Sequence, residues 1–235
     1  MTIAEDVSGM VGLAAPVGEG GCGFDYRLAM GVTDHWFKLF DIPDEYWHLG
    51  TLWHELTNHR PDERTISYVE CHDQAIVGGQ TALFRMIGSS MYDAMGKLAP
   101  NLAVERGIAL HKMARMITAA TAAGGYLNFM GNEFGHPEWV DFPREGNGWS
   151  YRYARRQWSL AERDDLRYRP LREFDRAMLR LLKEGIFDRV PQLVKIDELA
   201  KVLVFERGGY WFFANFHPTQ RSEEHTSELQ SLAYL

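Results

Sequence analysis

The chain has 235 residues, a formal net charge of −7 and 46% hydrophobic residues, enough for one large domain or one and a half small ones. Lys and Arg are not clustered, which argues against nucleic-acid binding. No apolar stretch approaches the ~20 residues that span a bilayer, and residues 1–10 lack the basic region of a signal peptide. Two cysteines are too few for a disulfide framework or a four-ligand zinc site, so we predict a cytoplasmic protein without membrane, nucleic-acid, metal or cofactor partners.

The first seventy residues predict short strands separated by a flexible loop and one helix. The strands are expected at 2–4, 24–30 and 65–69, the glycine-rich loop at 18–23 and the helix at 34–40. Asp34 is a suitable N-cap for that helix. The polar sequence around His72 and Asp73 lies at the C-terminal end of the third strand.

The rest of the chain predicts two longer helices and then a change to β structure. Apolar residues at helical spacing predict a helix over 102–122, which Gly124 and Gly125 end, and a second helix over 171–182. A short strand is expected between them at 126–130. After Pro191, apolar runs at 202–205 and 210–213 flank a glycine pair and predict a hairpin, so a small β domain is expected to begin near residue 190.

Carboxylates follow two of the predicted strands directly. Glu5 and Asp6 follow the first strand, and Glu70 and Asp73 follow the third. In a sheet whose strands alternate with helices the strands are parallel, and their C-terminal ends share one edge. Two carboxyl groups that converge there could act in glycoside cleavage, one as the proton donor and the other as the nucleophile or base. The alternative is that these four residues are helix caps or solvated charges.

Several sequence blocks together resemble the 1,4-α-glucan branching enzyme family of the α-amylase superfamily, glycoside hydrolase family 13. The resemblance covers residues 1 to about 220. The blocks are Ala-Glu-Asp-Val-Ser-Gly-Met at 4–10, Gly-Phe-Asp-Tyr-Arg-Leu-Ala-Met at 23–30, Cys-His-Asp-Gln at 71–74, Gly-Asn-Glu-Phe-Gly-His-Pro-Glu-Trp at 131–139, Asp-Phe-Pro-Arg-Glu-Gly-Asn at 141–147, Tyr-Ala-Arg-Arg-Gln-Trp at 153–158, Val-Phe-Glu-Arg at 204–207 and Asn-Phe-His-Pro at 215–218.

This resemblance implies an α/β fold, the C-terminal half of a (β/α)8 TIM barrel followed by the start of an all-β domain. Strands five to eight are expected within residues 1–185 and the start of a β-sandwich within 190–220. Residues 221–235 resemble a translation of sequencing-adapter DNA, and we expect this tail to be an artefact without function.

The resemblance also implies a reaction and the residues that perform it. The reaction cleaves an α-1,4 glucan and transfers the chain to a 6-hydroxyl, with glycogen, amylose or starch as partner. Glu5 matches the general acid/base, Asp73 the carboxylate that stabilises the transition state, and His72 its neighbour that hydrogen-bonds the same sugar. The nucleophilic Asp belongs to a strand N-terminal to Met1, so we expect the chain to be inactive alone.

Some features depart from the family pattern or suggest other functions. Cys71 stands where Ser is usual, Val11 where Pro is common, and residues 79–80 where Asp-Lys is common. A small hydrolase that uses Glu5 and Asp73, and a non-catalytic glucan-binding module, are alternatives. A zinc-protease site at His54 and His59 is disfavoured because the two are five residues apart, whereas that motif needs four.

Overall fold

A computed structural model describes residues 1–76 and 79–220 of the protein. Within these residues four short strands form a parallel sheet in the order β1-β2-β3-β4. The strands are β1 Ile3–Ala4, β2 Tyr26–Leu28, β3 Thr65–Ser67 and β4 Gly125–Tyr126. Neighbouring parallel strands need crossover connections. α-Helices lie in the β2–β3 and β3–β4 connections, whereas the β1–β2 connection contains a short 3-10 turn at Val17–Glu19.

Six α-helices are present among the described residues. They are α1 Met30–Phe40, α2 Leu49–Thr57, α3 His72–Ala75, α4 Ala82–Ile87, α5 Leu102–Thr121 and α6 Tyr168–Leu182. Helices α1 and α2 connect β2 to β3, whereas α3, α4 and α5 connect β3 to β4. In the described part of the chain, no helix has both the length and the apolar character that crossing a membrane requires.

An antiparallel sheet follows α6. Its strands are β5 Gln192–Asp197, β6 Val202–Arg207 and β7 Tyr210–Asn215, with β6 in the centre. The loop between β6 and β7 is Gly208-Gly209, with φ of 61° and 86° at the two glycines. Two consecutive positive φ values are what a two-residue type I′ hairpin requires, and glycine adopts them without steric cost.

The helices and the antiparallel sheet share one hydrophobic core. Trp36 of α1, Leu52 of α2, Ile117 of α5, Met178 of α6 and Phe205 of β6 all belong to it. The hairpin therefore packs on the helical layer of the chain, although it forms a separate sheet.

A buried arginine adds polar contacts between the hairpin and α5. The Arg207 side chain donates from Nη1 to the backbone oxygens of Ala120 and Ala122, both at 2.8 Å. Because these two carbonyls lie at and just beyond the C-terminal end of α5, they have no helical donor, and the guanidinium satisfies them.

Comparison with the sequence predictions confirms the α/β class and the β hairpin and corrects several boundaries. Helix α1 begins at Met30, after Ala29, and not at an Asp34 cap; Asp34 is an exposed residue within the helix. The early start lets Val32 and Thr33 join Trp36 on the buried face. Helix α5 ends at Thr121, before the predicted glycine stop, since Gly125 belongs to β4.

Some elements of the fold were not predicted from the sequence, and some predictions are not tested by the structure. The predicted strands at 24–30, 65–69 and 126–130 are shorter than expected, and helices α2, α3 and α4 and strand β5 were not predicted. The half-barrel and the domain bounds 1–185 and 190–220 stay predictions. The tail prediction for 221–235 lies outside the described residues.

Candidate active site at the carboxyl edge of the parallel sheet

Two of the predicted site segments emerge at the same edge of the parallel sheet. Glu5 directly follows Ala4, the last residue of β1, and His72 and Asp73 follow β3 after a four-residue connection. Strands β1 and β3 flank β2, and all three run parallel. Glu5 and Asp73 are exposed and His72 is partly exposed. The edge therefore presents a general-acid candidate and a sugar-binding candidate to solvent.

The segment with His72 and Asp73 is held by a cap at the start of α3. The backbone N–H of Cys71 donates to Oε1 of Gln74 at 2.9 Å. The Cys71 thiol donates to Oδ2 of Asp73 at 3.7 Å, and Nε2 of His72 lies 3.2 Å from Oδ1 of the same carboxylate. Asp73 is thus contacted on both oxygens. Burial raises the pKa of the Cys71 thiol to about 11, so this thiol stays protonated at neutral pH and can donate.

The other two candidate carboxylates have structural roles, as the alternative interpretation allowed. Asp6 accepts from the backbone N–H and the hydroxyl of Ser8, at 3.2 and 2.6 Å, and forms a local turn. Glu70 is buried and accepts from the backbone N–H of Ala82, the first residue of α4. Burial raises the pKa of Glu70 to about 7, although the positive charges of the Arg156 and Arg115 guanidinium groups act to lower it. Glu70 therefore joins the end of the β3 segment to α4.

Two of the sequence blocks that carry the family resemblance contact each other in the fold. Arg156, in the block at 153–158, donates from Nε to Met130 O at 2.9 Å and from Nη1 to Glu138 O at 2.7 Å. The Gln157 N–H donates to Nε2 of His136 at 3.0 Å. Burial and the neighbouring Arg156 charge lower the pKa of His136 to about 4, so this imidazole is neutral and accepts. Arg156 thus holds the loop that follows β4.

An aromatic cleft lies between the loops that follow β3 and β4. Val140 pairs with Ile76, which brings these loops together. Trp139 stacks on Tyr153, with ring centroids 4.8 Å apart and planes at 25°. The adjoining cavity of about 590 Å³ is lined by Gly79, Gln80, Phe84, Arg85, Tyr92, Pro137 and Trp139. Neither Glu5 nor Asp73 lines this cavity. The aromatic residues are visible in the sequence, but only the pairing of the two loops brings them together in one cleft.

The histidines that suggested other sites do not form them. His54 lies in α2, which ends at Thr57, and His59 lies beyond its end. The two therefore do not share a helix face as a zinc-protease motif requires. His111 is buried in α5, and burial keeps its pKa well below the usual value. It is a neutral core histidine.

The geometry defines an α/β protein with acidic and imidazole side chains at the carboxyl edge of a parallel sheet, and sequence comparison supplies its relatives. The chain is 54% identical over 223 residues to the 1,4-alpha-glucan-branching enzyme of Debaryomyces hansenii. It is 52% identical over 225 residues to that of Solanum tuberosum and 50% identical over 224 residues to that of Felis catus. These alignments confirm the resemblance that the sequence blocks predicted.

The same alignments cover little of the relatives. They include 93%, 94% and 94% of this chain but 31%, 26% and 32% of the three enzymes, in the same order. The chain thus spans about a third or less of the length of these curated relatives. No protein-family model matches the chain. A solved α-amylase from H. orenii, 14% identical, gives a TM-score of 0.46 over 91% of this chain and 43% of that chain, which is too low to support an argument.

Proposed function

We propose that this chain supplies the acid–base and sugar-binding residues of a 1,4-alpha-glucan-branching enzyme. The observation that carries the proposal is that Glu5 and the His72–Asp73 pair follow parallel strands at one sheet edge. The sequence identity of 50–54% to branching enzymes supports it. In this reading the four strands are the fifth to eighth of a (β/α)8 barrel within residues 1–185, and residues 190–220 begin an all-β domain.

The proposed reaction proceeds by double displacement. Retention through a covalent glycosyl intermediate needs a nucleophile as well as an acid, and the intermediate is then attacked by a 6-hydroxyl instead of water. Glu5 protonates the leaving glycosidic oxygen and afterwards removes the proton of the incoming hydroxyl. By the family resemblance, the nucleophilic Asp belongs to a strand outside this chain, so we propose the complete reaction for a polypeptide that also contains the matching remainder.

Asp73 and His72 are proposed to hold the reacting sugar. The contacts to both Asp73 oxygens fix the carboxylate without removing it from solvent, because 40% of its side chain remains exposed. A fixed carboxylate can accept sugar hydroxyls and stabilise positive charge as the ring approaches an oxocarbenium ion. The substrate is proposed to be an α-glucan such as glycogen, amylose or starch, and a cytoplasmic location is proposed with it.

A chimera tests this function directly. Residues 1–220 replace the matching segment of the Debaryomyces hansenii enzyme, and branching of amylose is followed by iodine absorbance and debranched chain profiles. We expect the chimera to branch amylose. Glu5→Gln in the chimera should lower the rate by about 10²- to 10⁴-fold, the usual contribution of general acid–base catalysis. Glu19→Gln, an exposed loop carboxylate, should leave the rate unchanged.

The outcomes separate the proposal from its alternatives. Branching that survives Glu5→Gln at an unchanged rate would show that Glu5 is not the acid/base. Hydrolysis of amylose by the 235-residue chain alone, abolished by Glu5→Gln, would show a small hydrolase instead. Tight glucan binding by a chimera without any branching would favour a binding module. The sequence comparisons do not favour either alternative, because each of the curated relatives described is a branching enzyme.

A further inference from the structure

Three adjacent side chains at the proposed sugar site form a set of metal-ligand atoms. Cys71 supplies a sulfur, His72 an imidazole nitrogen and Asp73 a carboxylate oxygen, and these atoms all lie within 4.8 Å of one another. We propose that Cys71, His72 and Asp73 bind a zinc ion, and that this ion excludes α-glucan from the same residues. The second part rests on the proposed function; the first does not.

Two of the three distances between the ligand atoms are close to those around a tetrahedral zinc ion. Zinc bonds of about 2.3 Å to sulfur and about 2.0–2.2 Å to nitrogen and oxygen place a nitrogen and an oxygen about 3.4 Å apart. By the same geometry a sulfur and an oxygen lie about 3.6 Å apart. The observed separations are 3.2 Å between His72 Nε2 and Asp73 Oδ1, and 3.7 Å between Cys71 Sγ and Asp73 Oδ2. The two distances end on different oxygens of Asp73, so the carboxylate has to rotate to direct a single oxygen to the ion.

The exposure of the three ligands suits a site with an open fourth position. Cys71 is buried, with 3% of its surface accessible, whereas the side chains of His72 and Asp73 are 46% and 40% exposed. A zinc ion would thus bind from the solvent side, with the thiolate beneath it and water above it. Three protein ligands and one water are the usual ligand set of an open zinc site.

The chemistry of the ligands selects the ion. Sulfur and imidazole ligands favour zinc over magnesium or calcium, which prefer oxygen ligands. On binding, the Cys71 thiol releases its proton to solvent as the zinc–sulfur bond forms. One thiolate and one carboxylate then balance the double positive charge of the ion, so the buried sulfur acquires no net charge without a partner.

The position of the ion explains why zinc would exclude α-glucan. His72 and Asp73 are the residues that we propose to hold the reacting sugar. A zinc ion is coordinated by the Nε2 atom of His72 and an oxygen of Asp73, so neither atom remains available to bind a sugar hydroxyl. Zinc and glucan therefore compete, and the thiol of Cys71 makes this chain sensitive to the metal.

Direct titration of the 235-residue chain tests the metal site. After removal of metal with a chelator, Zn²⁺ is titrated by calorimetry, and Co²⁺ is used as a probe whose near-ultraviolet charge-transfer absorption reports a thiolate ligand. We expect one equivalent of zinc per chain and a thiolate band with cobalt. Cys71→Ser should remove the band and weaken zinc binding at least about 100-fold, because one of only three protein ligands is lost.

Two further variants keep this test decisive. Cys22→Ser removes the other cysteine, which is exposed, and should change neither the band nor the affinity. Asp73→Asn alters an exposed ligand, so it should weaken zinc binding even if Cys71→Ser fails to fold; circular dichroism checks each fold. Zinc affinity unchanged in Asp73→Asn, or a cobalt band that disappears in Cys22→Ser, would overturn the proposal.

Competition is measured separately in the chimera. Zinc should inhibit its branching activity, and Cys71→Ser should raise the zinc concentration for half inhibition by the same factor as the loss of affinity. If zinc inhibits the chimera and its Cys71→Ser variant equally, the proposal that zinc at this site competes with glucan is wrong. A chimera without branching activity would overturn the proposed function, whereas the titrations of the 235-residue chain would still decide the metal site.

Discussion

Replacing Glu70 by Gln should change how the stability of the fold depends on pH. Glu70 is buried beside the proposed site, and its carboxyl accepts from the Ala82 N–H. Burial raises its pKa from an ordinary 4.5 to about 7. Gln has the same shape, can accept the same hydrogen bond and never ionises. The variant therefore isolates the effect of ionising this one buried group.

The sign and size of the effect follow from proton linkage. Because the folded chain holds the Glu70 proton more tightly than the unfolded chain does, the group contributes most stability below about pH 4.5 and loses that contribution as the pH rises through 7. A pKa of about 7 in the folded chain against 4.5 in the unfolded chain corresponds to about 3 kcal/mol in the free energy of unfolding. About 2–3 kcal/mol of it should be lost between pH 5 and pH 8.

Urea denaturation at several pH values from 5 to 8 measures this contribution. Subtracting the free energy of unfolding of Glu70→Gln from that of the wild type removes the effect of all groups common to both. The difference should fall by about 2–3 kcal/mol across this range, whereas Glu19→Gln, on an exposed loop, should follow the wild type throughout. A difference between wild type and Glu70→Gln that stays constant with pH would refute the reasoning.

Other substitutions test the core and the aromatic cleft. Asp175→Asn should lower the free energy of unfolding in urea by about 3–5 kcal/mol, because the fully buried Arg115 loses its ion-pair partner; a loss below about 1 kcal/mol would contradict this. Phe205→Ala, in the core of β6, should cost about 3–5 kcal/mol, and Phe213→Ala, 43% exposed on β7, should cost clearly less in the same assay; equal losses would show that the hairpin core is misassigned. We also expect the aromatic cleft to bind glucan, because the C–H faces of sugar rings pack on aromatic side chains, so Trp139→Ala should weaken maltohexaose binding to the chimera about tenfold by calorimetry; an unchanged Kd would exclude the cleft from glucan binding.

Elements whose signals are local could be predicted from the sequence. The helix at 102–121 has apolar residues at helical spacing along its length, and the hairpin has two apolar runs around a glycine pair that tolerates positive φ. The position of Glu5 after a strand was also readable, because strand ends and carboxylates are features of adjacent residues. In each case the information lies within a few residues of chain.

Helix α1 and Glu70 show what local patterns could not provide. Asp34 has the properties of an N-cap, but burial of Val32 and Trp36 against distant elements moves the helix start to Met30. The strand-end pattern did not distinguish Glu70 from Asp73 as a site carboxylate, although the family resemblance selected Asp73. Only the fold shows that Glu70 accepts from Ala82 and so joins α4. Packing energy from long-range contacts outweighs the smaller preferences of single residues.

Sequence alone therefore determined the α/β order, the hairpin and the family resemblance, because these depend on periodicity and on motifs of adjacent residues. Tertiary structure decided which side chains meet. Trp139 and Tyr153 stack where the loop that follows β4 pairs with Ile76, and Glu70 meets the Ala82 N–H where α4 packs beside the end of the β3 segment. Such contacts depend on how separate segments fold against each other, and no spacing along the chain encodes that geometry.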